Sequence, residues 1–174
     1  YGGIIAQNTF GFSSGDVILF AIVANIVAGV ATIGVGRLDD RFGPRNVIMA
    51  SLGILVVAGV LVFLLHSAGT AAFWVLGLLL SACVGPAQSA ARSFLARLIP
   101  EGQEGEIFGL YATTGRAVSF MAPMMYGVFI HLGTRVVGPG ASYWGILGIV
   151  AVLATGLLLM LRVGDPVADE EPAA

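Results

Sequence analysis

Arg116 is the single charged residue in an otherwise apolar run from 107 to 130. A guanidinium in such a setting has one strong chemistry open to it, a forked two-bond grip on a carboxylate. At mid-membrane depth an arginine costs roughly 2.5–3.5 kcal/mol, so it needs a partner. Two partners fit equally: a carboxylate from another part of the protein, or the carboxylate of a bound small molecule. Asn25, Gln88 and Thr113 are further polar side chains in apolar runs, each a candidate for lining a polar path between helices. Asn25 and Gln88 serve equally well as hydrogen bonds between packed helices. Thr113, like Thr114 and Ser119, can bond its own helix backbone.

A second concentration of chemistry is the decapeptide GRLDDRFGPR, residues 36–45, which holds three arginines and two aspartates. Arginine forks there can bind carboxylates or free carbonyls across a helix interface, and Asp40 can sit at the positive end of a neighbouring helix. Such contacts can form in one conformation and break in another, which is the chemistry of a gate. Gly36 and Gly43 permit a tight turn and close approach.

Other chemistries lack their parts. There is no Ser-His-Asp arrangement, no H-E-x-x-H and no phosphate loop, so neither catalysis nor a cofactor is expected. The one cysteine, Cys83, sits in an apolar run, and no Cys/His cluster suggests a metal. A formal net charge of −2 offers no basic field for nucleic acid.

The elements that must position these residues follow from composition. Of 174 residues, 57% are hydrophobic and 10% charged, and the mean hydropathy is +0.96. Those values lie outside the range of soluble domains and indicate an all-α membrane protein. A helix needs about 20 mostly apolar residues to cross the hydrocarbon core. Five runs qualify, at about 17–35, 46–65, 71–91, 107–130 and 141–161, within a membrane domain of residues 13–162. They lack the alternation of barrel strands. Residues 1–12 have the character of the end of a further helix, and 163–174 of a cytoplasmic tail. Alternating the spans puts Arg37, Arg41, Arg45, Arg92, Arg97 and Arg162 on one side and Arg135 alone on the other. The arginine-rich side is therefore expected to face the cytoplasm.

The order of the decapeptide carries a resemblance. Gly36, Leu38, Asp40, Arg41, Gly43 and Arg45, followed by Ile48, resemble the G-x-L-a-D-R-x-G-R/K-x-x-L signature of major facilitator superfamily transporters. Asp39 departs from it where a small residue is usual, and Pro44 where a basic one is, as in the copy of the signature between helices eight and nine. The run 85–123, with G-x-x-Q, an R-S pair, A-R-L-I-P, F-G-L-Y and a small-Pro step, resembles the vacuole-effluxer family within that superfamily, as does the opening YGGIIA.

That resemblance implies the carboxy-terminal six-helix half of a major facilitator fold, its first helix truncated. Its implied partners are the lipid bilayer, a missing amino-terminal six-helix half and a small-molecule solute. The implied activity is alternating-access movement of small solutes, amino acids foremost and by efflux, with a bacterial cell membrane as the expected setting. The competing expectation is a non-transporting membrane interaction or scaffold subunit, with a half-size chain that dimerises as one form of it. Because the five runs contain no Asp or Glu, a coupling proton is expected to be carried by the other half.

Overall fold

The computed structural model describes residues 2–100 and 102–163; the side chains of Gly2, Ile4 and Leu38 are not described, and the tail from 164 lies outside it. Every regular element among the described residues is helical: α1 (Gly2–Phe10), α2 (Ser14–Phe42), α3 (Pro44–Leu64), α4 (Thr70–Leu98), α5 (Glu104–Val118), α6 (Met121–Val137) and α7 (Gly145–Leu161), with a 3-10 turn at Ala141–Trp144. Five stretches are long and apolar enough to cross a membrane, α5 and α6 together forming one of them. The expected all-α membrane fold is what the chain adopts.

Local chemistry sets the helix ends. Ser13 and Asp16 form a reciprocal capping box at the start of α2, with Asp16 N–H donating to Ser13 Oγ (3.2 Å) and Ser13 N–H to Asp16 Oδ2 (3.0 Å). Between α2 and α3 there is one residue, Gly43, at φ 80° and ψ 149°. That conformation is close to glycine-only, and Pro44 then starts α3 with a ring already set for a first helical turn.

The α5–α6 span is kinked at Ser119 and Phe120, both of which keep right-handed helical backbone angles. The cause lies four residues beyond Ser119. Pro123 has no N–H to donate to the Ser119 carbonyl, and its ring crowds that carbonyl. Ser119 turns back instead, its N–H (3.2 Å) and Oγ (2.7 Å) both donating to the Arg116 carbonyl. Pro86, by contrast, is absorbed inside a continuous α4.

Packing runs α2 on α4, α4 on α3, α3 on α7 and α7 on α6. Two glycines let helix backbones approach closely. A β-carbon on Gly85 would strike the Thr32 hydroxyl and press on the Ala28 carbonyl, and one on Gly148 would strike the Met125 backbone. Buried Phe10, Phe12 and Phe73 gather with Phe20 and Trp74 where α1, α2 and α4 meet, the Phe10–Phe73 centroids lying 4.8 Å apart. A second core of Val47, Ile48, Ala90 and Phe94 joins α3 to α4 near the arginine-rich end. His66 stacks face to face on Tyr143 at 4.0 Å and is half-buried, closing the opposite end rather than standing in solvent.

The decapeptide lies between the expected spans 17–35 and 46–65, where a connecting loop is expected, yet it is helical on both sides of Gly43. Residues 36–42 are the last two turns of α2, and Pro44 and Arg45 begin α3. Nothing before Gly43 breaks a helix, and Arg41 in the last turn complements the negative end of the helix dipole.

Candidate functional site

The kink in the α5–α6 span positions Arg116 in the last turn of α5, about 18 Å along the helix from Glu104 at the helical rise. No residue of α5 is buried, and α5 makes no more than marginal contact with any other element. Arg116 is exposed and forms no ion pair among the described residues. Thr113, one turn earlier, donates from Oγ1 to the Gly109 carbonyl at 2.8 Å, so its hydroxyl serves its own helix in this conformation.

Asn25 and Gln88 belong to a different part of the molecule, the junction of the parallel helices α2 and α4. Asn25 lines a shallow depression of about 270 Å³ together with Ala28, Leu80, Ser81 and Val84. Its Nδ2 donates to the Ala21 carbonyl at 2.8 Å, leaving Oδ1 available. Gln88 is exposed one turn beyond Val84 and has no hydrogen bond to the described residues. These two are brought onto one helix junction; Arg116 and Thr113 stand apart from it on α5.

Among the gate candidates, Arg45 makes a long-range tie, its Nε donating to the Val163 carbonyl just past α7 at 2.9 Å. Arg41 lies over the Phe42 ring, 5.5 Å from its centroid. Asp40 is exposed and Gly36 borders the α2–α4 junction. No ion pair links these residues to any described group. Gly43 is the single residue that joins α2 to α3.

Asp39, not Asp40, is the buried carboxylate, and its Oδ1 has no hydrogen-bond partner among the described residues. It faces Pro86, Ser89 and Ala90 of α4 across a small cavity also bordered by Thr32, Val35 and Gly36. Thr32, Val35, Gly36 and Asp39 follow the i, i+3, i+4, i+7 spacing of one helix face. That spacing was available in the sequence and became informative only once α2 was continued through the decapeptide. A carboxylate is thus buried inside the α2–α4 packing, four residues beyond the expected first span.

No group of three or more His, Cys, Asp or Glu residues able to hold a metal exists among the described residues. The chemistry on offer is anion binding at a kinked helix and hydrogen bonding along a helix junction.

A family profile described as "Vacuole effluxer Atg22 like" matches residues 2–167. An uncharacterized MFS-type transporter, YxiO, of Bacillus subtilis is 27% identical over 94% of this chain and 38% of its own length. Autophagy-related protein 22 of Cryptococcus neoformans is 26% identical over 94% of this chain and 32% of its length. A gentisate transporter of Corynebacterium glutamicum is 25% identical over 90% of this chain and 34% of its length. The chain thus spans about a third of the relatives it matches. No solved structure matches. Helices that can span a membrane, a span kinked beside an arginine and a profile that covers nearly all of the chain converge: this is a multi-pass membrane protein chain of the vacuole effluxer Atg22-like family of major facilitator-type transporters.

Proposed function

We propose that this chain is part of a secondary active transporter that moves a small carboxylate-bearing solute, an amino acid foremost, out of a cell or compartment by alternating access. The observation that carries the reading is the exposed Arg116 at the kink of the α5–α6 span. Broken helices border solute sites in transporters because interrupted backbone is tolerated at membrane depth only beside a cavity or other protein. An arginine there presents the fork that a carboxylate fits. Gentisate, named for one relative, shares a carboxylate with amino acids, so the site chemistry is common to both solute classes.

In this reading the chain is the carboxy-terminal half of a twelve-helix carrier. Its arginine-rich ends face the cytoplasm, and a second six-helix half covers α2 and α5 to complete the pathway. Asn25 and Gln88 border that pathway, while the Gly36–Arg45 segment biases which side is open.

Counterflow in liposomes by the complete protein that contains this chain tests the reading. Amino acids, gentisate-type aromatic acids, sugars and nucleosides are compared, each acid also as its amide. Exchange of at least one acid and loss of exchange for its amide are expected. Equal exchange of acid and amide would exclude the Arg116 grip, and exchange of sugars or nucleosides alone would exclude the solute class.

A further inference from the structure

Between α2, α3 and α4, near Gly43, lies a cavity of about 420 Å³ bordered by Val35, Phe42, Asn46, Ser51, Cys83 and Pro86 among others. Small side chains create it: Ala50, Ser51, Ala82 and Cys83 leave space where α2 and α3 both lean on α4 without filling the gap between themselves. The cavity continues past Ala50 and Ile54 into an apolar groove along α3 that ends at Leu61. From Asn46 to Leu61 the groove runs about 22 Å along the helix. One leaflet of the hydrocarbon core is about 15 Å deep, so the groove is long enough for an acyl chain.

An arginine stands beside the residues that border this cavity. Phe42 borders the cavity, and the Arg41 guanidinium lies over its ring at 5.5 Å. Arg41 has no ion-pair partner among the described residues, and Arg37 is one turn before it. Asn46 donates from Nδ2 to the Phe42 carbonyl at 2.8 Å, which leaves its Oδ1 beside the cavity. Asp39 is turned into the α2–α4 junction and does not neutralise Arg41. Apolar walls below a free guanidinium match an amphiphile with an anionic head.

We propose that this cavity and groove bind an anionic phospholipid, one acyl chain lying along α3 and the phosphate held by Arg41 with Arg37. The site is separate from Arg116 and does not depend on which solute is carried.

Fluorescence quenching by brominated acyl chains tests the site. Ile54, 42% exposed, borders both cavity and groove, so Ile54→Trp places a reporter there without disturbing the core. The complete protein is reconstituted in phosphatidylcholine vesicles containing brominated phosphatidylglycerol or brominated phosphatidylcholine. Wild-type emission, to which Trp74 and Trp144 at the other end of the bundle contribute, is subtracted. Leu158→Trp, on the exposed face of α7, reports general enrichment of anionic lipid. The expected result is an anionic preference at Ile54→Trp of about fivefold, the attraction of one arginine near an anionic headgroup. That preference should fall to the Leu158→Trp level when Arg37→Gln and Arg41→Gln are added; both arginines are exposed, so the fold is retained. Equal quenching by the two lipids, a preference no greater than at Leu158→Trp, or one that survives the double substitution would each overturn the proposal.

Discussion

Arg116 and Asp39 carry opposite charges and meet opposite surroundings. Arg116 is exposed beside a helix kink, whereas Asp39 is buried against α4 with one oxygen unpartnered. If Arg116 grips a solute carboxylate with two parallel bonds, Arg116→Lys keeps the charge and loses the fork. Its apparent affinity in counterflow should weaken about tenfold, the worth of one charge-assisted bond. Arg116→Glu should abolish exchange. Unchanged affinity in Arg116→Lys would place the solute elsewhere. For Asp39, burial of an unpaired polar atom costs about 1–3 kcal/mol, and a negative charge near a helix C-terminus adds to that cost. Asp39→Ala should therefore raise the Tm of the purified protein by a few degrees. A lower Tm would mean that Oδ1 gains a partner from protein beyond the described residues.

Among the elements, the α2–α4 junction depends on the methyl group that Gly85 lacks. Alanine normally stabilises a helix over glycine by about 0.4–1 kcal/mol. At Gly53 the space for a β-carbon is open, so Gly53→Ala should show that gain. At Gly85 the same change meets the Thr32 hydroxyl, which is held on the Ala28 carbonyl at 2.7 Å and cannot easily withdraw. Gly85→Ala should lose about 1–3 kcal/mol, as overpacking does. The opposite signs, measured by urea titration in detergent, check the packing; a gain at both positions would contradict it. Gly43→Ala acts differently. It leaves packing open but forces a side chain into a glycine conformation between α2 and α3, costing about 1–3 kcal/mol, and it should slow exchange at unchanged solute affinity. A loss of affinity in step with the rate would contradict a hinge role for Gly43.

For the whole molecule, the largest uncovered apolar surface on α2 runs along Ile18, Ile22, Ile26, Val30 and Ile33. In the proposed carrier this face borders the pathway or the second half, whereas Val57 on α3 faces lipid. In the complete protein with Cys83→Ser and every other native cysteine replaced, Ile26→Cys should react with a water-soluble maleimide at a rate that saturating solute changes severalfold. Val57→Cys should stay unreactive with or without solute, because lipid excludes the reagent. Equal reactivity at both positions would argue against alternating access across the α2 face.

Apolar runs of about 20 residues can satisfy their backbone in hydrocarbon only as helices, so the sequence alone determined an all-α membrane chain and its five spans. Family membership was legible for a similar reason, since the decapeptide and the 85–123 run are local patterns. The fates of single polar residues were not local. Whether residues 36–42 formed a loop or the end of α2 depended on where the first unavoidable break fell, at Gly43. That outcome buried Asp39 and left Asp40 outside, because neighbours in a helix point about 100° apart. Pro86 and Pro123 look alike in sequence, yet Pro86 is buried within a continuous α4 while Pro123 follows a kink that no neighbouring helix covers. The cavity above Cys83 was invisible as well. Each small residue that borders it is ordinary by itself, and only the meeting of three helices turns them into a space.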